Sequence, residues 1–196
     1  MRVYGDSISG NCLKIKWCAD YLGLPYEWIE TGVLTGETRR PAFLAMNPAG
    51  QVPCVILADG RPLAQSNAIL LHLAEGSDLI PADAYDRARM LEWLFWEQYS
   101  HEPYVAVARF QVKYLGKPVD SLDAKLVERG KGALRRLNDA LSQPDFLVGA
   151  KLSLADLSLV AYTRMAEDGG FRLADYPAVQ AWIARVESAL NIEDPI

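Results

Sequence analysis

The sequence predicts an α/β layer followed by an all-helical bundle. Strand and helix signals alternate over the first 76 residues, and beyond a short Pro81-containing stretch the strand signals vanish. Apolar residues make up 51% of the 196, enough to give both parts a core.

The first part reads element by element. Residues 2–5 are short and β-like, and residues 11–22 place Ile15, Ala19 and Leu22 at helical spacing before stopping at Gly23. Residues 26–30 alternate as a strand does. Residues 40–46 form a short helix ended by Asn47-Pro48. Residues 52–57 are an apolar strand, Asp59-Gly60 a hairpin turn and residues 61–64 the returning strand. Residues 66–75 are a helix stopped by Gly76. The order is β-α-β-α-β-β-α. Its opening βαβ implies a parallel pair and its hairpin an antiparallel one.

Residues 77–85 read as a linker between a domain of residues 1–76 and one of residues 86–196. The second domain opens with one long aromatic-rich helix over 86–116, with room for a bend. A helix over 122–141 turns Leu126, Ala133, Leu134, Leu137 and Leu141 inward. A strongly apolar helix over 154–168 and a last one over 177–190 complete the bundle.

The formal net charge of −5 argues against a nucleic-acid partner, whose phosphates demand a basic face. No apolar run is long enough to span a bilayer, so no membrane role is expected. Met1-Arg2-Val3-Tyr4-Gly5 is too soon interrupted for a signal peptide. Cys12, Cys18 and Cys54 are an odd number without metal-type spacing, so reduced thiols of a cytoplasmic protein and no metal are expected.

Two segments carry binding chemistry. Asn47-Pro48-Ala49-Gly50-Gln51-Val52-Pro53 is a loop entering a strand, and beside Pro53 it exposes backbone groups of Val52. Gln65-Ser66-Asn67-Ala68-Ile69 is a turn opening a helix, whose N–H groups suit an anion. A short acidic peptide needs both.

With these segments, Ser153-Leu154-Ala155-Asp156 and the start Tyr4-Gly5-Asp6-Ser7-Ile8-Ser9-Gly10-Asn11-Cys12, the chain resembles a cytosolic glutathione S-transferase of the serine-type bacterial and theta/delta branch over nearly its whole length. The resemblance implies a thioredoxin-like N-terminal domain that binds glutathione as co-substrate. It implies a helical C-terminal domain that forms a pocket for a small hydrophobic electrophile, and a homodimer. The reaction it implies is attack of the glutathione thiolate on that electrophile or on a peroxide. A glutathione-dependent disulfide-bond reductase and a noncatalytic scaffold that kept the fold are the alternatives.

Moving a thiol pKa down by about two units takes roughly 3 kcal/mol of preferential thiolate stabilisation. One hydrogen bond to a charged acceptor supplies roughly 1.5–3 kcal/mol of that. Aligning Cys12 with the family's Ser-x-x-Cys pattern selects Ser9 over Ser7 as the donor, with the Asn11 amide as runner-up. Ser9 as a plain helix cap and Tyr4 as a core residue are the structural readings of the other hydroxyls. Cys12 lies past the family's cysteine slot; Cys18 and Cys54 read as core. The resemblance further implies a cis bond before Pro53, with Val52 pairing to the cysteinyl unit as an added strand would. It places Ser66 on the γ-glutamyl carboxylate, Gln65 near the ammonium and Gln51 near the peptide backbone. Arg39 or Arg40 is expected to meet the glycine carboxylate, with Lys14 a weaker option. Tyr104 and Arg109 are expected at the electrophile pocket, with Tyr99 and Phe110 as further candidates. His72 and His101 read as surface or packing residues, and Ser153 with Asp156 as a capping box.

Overall fold

The computed structural model describes residues 1–192. The chain divides into two units, Met1–Ser77 and Asp78–Ile196.

The first unit contains β1 (Arg2–Gly5), α1 (Gly10–Tyr21), β2 (Glu27–Glu30), a 3-10 turn at Glu37–Arg39, α2 (Pro41–Met46), β3 (Cys54–Ile56), β4 (Pro62–Ala64) and α3 (Ser66–Leu73). The sheet order is β2-β1-β3-β4. The opening β1 and β2 pair in parallel, while β1–β3 and β3–β4 pair antiparallel. Val3, Val55 and Ile56 of the sheet are buried, as are Ile15, Cys18 and Ala19 of α1 and Ile69 and Leu70 of α3. At the last residue of β1 only glycine fits. A Cβ on Gly5 would stand 2.7 Å from the Trp28 ring and 3.1 Å from the Cys12 Cβ.

Most boundaries of the first unit differ from the sequence expectation by a residue or two. Helix α1 starts at Gly10 rather than residue 11, because Ser9 takes the cap position at φ −82°, ψ 122° and its carbonyl accepts from Cys12 and Leu13 N–H. Strand β3 starts at Cys54 rather than residue 52. Pro53, which follows a cis peptide bond, has no N–H to give the ladder. Helix α3 ends at Leu73, short of Gly76.

The second unit opens with α4 (Ala84–Trp96), a π turn at Glu97–His101, α5 (Glu102–Arg109) and a second π turn at Phe110–Tyr114. This run fills the place of the single helix expected over 86–116. Pro103 accounts for the first interruption. It offers no N–H to the helix ladder, its ring excludes the carbonyl four residues earlier, and a widened turn accommodates both.

Beyond a 3-10 turn at Val119–Ser121 lies α6 (Ala124–Ala140), capped by the Asp123 carboxylate on the N–H groups of Lys125 and Leu126 at 2.8 and 3.0 Å. Ala133, Leu134 and Leu137 of the expected inner face are buried and Leu126 is half-buried. All ten residues of α7 (Leu154–Thr163) are buried, as a helix apolar on every side requires. It stops before residue 168, and a separate 3-10 turn at Ala166–Gly169 follows. Helix α8 spans Pro177–Leu190, the range its sequence predicts.

The second unit is pinned by one carboxylate. Ser153 and Asp156 close a capping box at the start of α7, with Asp156 Oδ2 accepting from Ser153 N–H at 3.0 Å and Ser153 Oγ at 2.9 Å. Asp156 Oδ1 accepts from Leu147 N–H at 2.8 Å and Trp182 Nε1 at 2.9 Å. Burial pushes this carboxyl above its ordinary range, outweighing the four donors that favour the charge. Asp156 thereby holds α8 and the segment before α7 as well as capping α7. Replacing it leaves buried donors unmatched at about 1–3 kcal/mol each. Asp156→Ala should therefore cost about 3 kcal/mol or more, and Ser153→Ala about 1 kcal/mol. Urea-unfolding midpoints check this; equal losses for the two variants would refute the central role of Asp156.

Candidate functional site

Tyr4 pairs with Cys54 and Cys54 with Ala64, and this is the last row of the ladder. The pairing of β3 with β1 and with β4 ends there, where β3 enters the sheet, while β1 stays beside β2 for one residue more. The loop of residues 6–9, the Val52–Pro53 peptide and the Gln65–Ser66 turn therefore gather at one end of the sheet.

The loop after β1 is shaped by two carboxylates. Asp6, buried, accepts from Ile8 N–H at 3.1 Å and from Val33 N–H at 3.0 Å, while its carbonyl accepts from Ser9 N–H at 3.0 Å. Glu30 accepts from Ser7 N–H and from Trp28 Nε1, both at 2.9 Å. The Ser9 side chain makes no capping bond, so the plain-cap reading does not describe it. Its hydroxyl lies beside the Cys12 sulfur, which also receives Asp6 N–H at 3.3 Å. Burial pushes the Cys12 thiol up to about 12 against the weaker opposing pull of those two donors. Cys18 is likewise pushed up to about 12 by burial, and Cys54 is raised. None of the three is poised as a nucleophile.

The loop before β3 is built around Asn47. Its Oδ1 accepts from Ala49 N–H at 3.2 Å and its Nδ2 donates to the Gln51 carbonyl at 2.7 Å. Gly50 sits at φ 62°, and a Cβ there would come within 2.5 Å of Arg39 Nη1. Arg39 thus lies across this loop, donating to the Ala49 carbonyl at 3.4 Å. Arg40 is solvated, 3.9 Å from Glu37. Gln51 is exposed, Val52 half-buried and Pro53 buried.

At the start of α3, Gln65 holds φ 71°, ψ 114°, a left-handed φ that costs a non-glycine residue energy. Ser66 is the first helical residue, and its Oγ donates to Asn11 Oδ1 at 2.9 Å. The structure thus joins the Ser66 hydroxyl to the amide oxygen of Asn11.

The pocket candidates engage partners within the helical unit. Tyr104 accepts from Arg129 Nη1 at 2.7 Å. Arg109 is buried, with Nε 3.0 Å from Asp168. Its guanidinium joins α5 to the 3-10 turn after α7, which is a fold role where a pocket role was expected. Tyr99 is exposed, and Phe110 stacks on Tyr114 at 5.0 Å. His101 is buried with Nε2 3.0 Å from Thr163 Oγ1, which itself donates to the Leu159 carbonyl, so the imidazole is the donor. His72 is exposed and Lys14 is buried.

Asp6, Glu30 and Asn47 are the residues that sequence reasoning missed. An acid or asparagine followed by a turn was the available signal for Asp6 and Asn47. Among the described residues, no group of three or more His, Cys, Asp or Glu side chains is arranged to hold a metal ion, and no helix is long and apolar enough to cross a membrane.

Two family models match this chain, the N-terminal domain of glutathione S-transferase over residues 8–75 and its C-terminal domain over residues 95–189. The chain belongs to the glutathione S-transferase family. It is 32% identical to glutathione S-transferase theta-1 of Mus musculus over 97% of this chain and 84% of that protein. It is also 32% identical to the disulfide-bond oxidoreductase YfcG of Escherichia coli, over 91% and 86% respectively. A crystal structure of a glutathione S-transferase from Pseudomonas fluorescens matches with a TM-score of 0.92 at 50% identity, over 95% of this chain and 94% of that one.

The buried thiols make a direct prediction for this transferase. A thiol-specific disulfide reagent at pH 8 should label Cys12 and Cys18 only over hours in the native protein. All three thiols should react within minutes in guanidinium. Fast native labelling at Cys12, located by peptide mapping, would overturn this reading of its thiol.

Proposed function

We propose that this glutathione S-transferase binds glutathione at the open end of the first unit's sheet and holds its sulfur as the thiolate through the Ser9 hydroxyl. The observation that carries the reading is the convergence beyond the Tyr4–Cys54–Ala64 row of a hydroxyl at a helix cap, a strand end at Val52–Pro53 and a helix start at Ser66. Backbone groups of Val52 pair with the cysteinyl unit, and Gln51 lies beside the peptide. The N-terminus of α3 takes the γ-glutamyl carboxylate, and Gln65 hydrogen-bonds the ammonium. Arg39, crossing the Gly50 loop, meets the glycine carboxylate, with Arg40 beside it.

The thiolate attacks an electrophilic carbon. With an aryl halide the carbon–sulfur bond forms, the carbon–halogen bond breaks and halide leaves. Ser9 remains neutral and donates its hydrogen bond throughout. Tyr104 is the retained candidate for the electrophile wall; Arg109 serves the fold. A second reading, reduction of a disulfide through bound glutathione, is favoured by the 32% identity to a disulfide-bond oxidoreductase and requires no protein cysteine. We further place the protein in the cytoplasm in a detoxifying role.

Calorimetric titration of glutathione tests the site, with saturation at about one equivalent per chain expected. Flat heats to several millimolar would end the transferase reading and favour a scaffold. Ser9→Ala removes a hydrogen bond to the charged sulfur worth about 1.5–3 kcal/mol. The bound thiol pKa, read from the pH dependence of kcat/KM with an aryl halide, should rise by about one to two units. The sign follows from the lost donor, since the thiolate loses its support and the thiol does not. An unmoved inflection would remove Ser9 from the chemistry.

The protein also acts as a homodimer on this reading. Phe95 and Tyr99, one helical turn apart, are 73% and 83% exposed on the run from α4 into its π turn, as is Tyr85 at the start of α4. Light scattering should give twice the chain mass for the wild type, and Phe95→Glu with Tyr99→Glu should give a folded monomer. A wild-type monomer at micromolar concentration would rule this assembly out.

A further inference from the structure

Helix α6 is basic within an acidic chain. Lys125, Arg129, Lys131, Arg135 and Arg136 stand in it against Glu128 and Asp139 alone, while the whole chain carries −5. Lys131 and Arg135, one helical turn apart, line a cavity of about 460 Å³ whose other walls are Gly170, Arg172, Asp175 and Tyr176. That volume lies in the range of small-molecule sites. Three cations there face one carboxylate, and they are lightly held. Lys131 has no acidic partner among the described residues. Arg135 pairs with exposed Glu128 at 2.8 Å, and Arg172 lies 3.8 Å from exposed Asp175. Exposed pairs of this kind are weak and yield to a better partner. Tyr176 differs from the cations in being only 7% exposed. Among the described residues its hydroxyl has one partner, the Lys131 carbonyl at 3.5 Å, the outer limit of a hydrogen bond. Arg135, Asp175 and Glu128 all act on this phenol electrostatically, so its hydroxyl lies among the charged groups of the cavity. A buried hydroxyl so poorly matched calls for an acceptor.

We propose that this cavity binds a small organic phosphate, whose dianionic group is held by Lys131, Arg135 and Arg172 and by the Tyr176 hydroxyl. A single carboxylate would leave the cations in excess. A phosphate monoester carries close to two charges at neutral pH and three acceptor oxygens, and its geometry matches the guanidinium forks of Arg135 and Arg172. A cavity of this volume holds more than the phosphate group, which leaves space for the organic part. Every lining residue belongs to the second unit, so the inference stands independently of glutathione binding in the first.

Phenyl phosphate, phenyl sulfate and inorganic phosphate are titrated calorimetrically into the full chain at pH 8 and about 0.15 M salt, where diffuse surface attraction is largely screened. Phenyl phosphate should saturate at about one equivalent per chain. Phenyl sulfate, with one charge, and inorganic phosphate, with no organic part, should each bind at least about threefold more weakly. Lys131→Gln and Arg172→Gln should each weaken phenyl phosphate about five- to tenfold, and Tyr176→Phe about three- to fivefold. Glu128→Gln frees Arg135 and should tighten binding about two- to threefold. Lys125→Gln, on α6 but outside the cavity, should change it less than about twofold. Lys131 and Arg172 are exposed, so their variants report on the site even where Tyr176→Phe disturbs folding. No saturation by phenyl phosphate up to several millimolar would overturn the assignment, as would equal affinity for the sulfate or for inorganic phosphate. Equal weakening by Lys125→Gln and Lys131→Gln would overturn it too, by showing diffuse attraction to a basic helix.

Discussion

The constraint on which the rest of the first unit depends is the antiparallel pairing of β3 with both β1 and β4. It makes the exits of β1 and β4 flank the entry of β3 at the row Tyr4–Cys54–Ala64. A parallel β3 would carry Val52 and Pro53 to the far end of the sheet, away from Ser9 and Ser66. Beyond that row β3 pairs with neither neighbour, and three segments come to one end of the sheet together. A peptide ligand can complete the pairing that the sheet leaves off.

Segments that stop pairing need other restraints, and here they are side chains that accept or donate to backbone. Asp6 takes two N–H groups, one of them 27 residues away at Val33, and Glu30 takes Ser7 N–H. Asn47 spans its own loop with both ends of its amide. These bonds restrain the loops without any ligand, and such preorganisation lowers the entropy lost on binding. The strained backbone of Gln65 belongs to the same design. A left-handed residue at the helix entry turns the chain sharply enough for Ser66 to face α1, and the bond to Asn11 helps to retain it.

Periodicity and turn residues made most of this fold legible. Pro177 and the apolar spacing after it marked α8 from end to end, and Asp59-Gly60 marked the hairpin. The long first helix of the second unit kept its helical period through two π turns, so the period alone concealed them, although Pro103 marks the first. Helix α7 is apolar on every side, and such a run has no face whose loss marks where the helix ends. The loop before Pro53 and the helix start at Ser66 were legible because turn chemistry is local. The Asn11–Ser66 bond and the reach of Asp6 to Val33 were not, because they join residues with no pattern between them. Arg109 shows the complementary limit. A cation one turn from aromatic residues reads the same whether it faces a ligand or, as here, Asp168 inside the fold.

The disposition of sulfur explains why a serine suits this site. Burial holds the Cys12 thiol protonated at neutral pH, although its sulfur lies beside the Ser9 hydroxyl. Burial has made that thiol a packing group, which fits the proposed reading that the nucleophilic sulfur is supplied by glutathione. A hydroxyl carries no charge across the working pH range. It therefore stabilises a thiolate more than a thiol without taking on a proton that the reaction would later have to remove. A histidine or lysine in the same place would titrate alongside the sulfur and couple the two equilibria. On the proposed reading Ser9 keeps them separate, and the pH dependence would then report the substrate's sulfur alone.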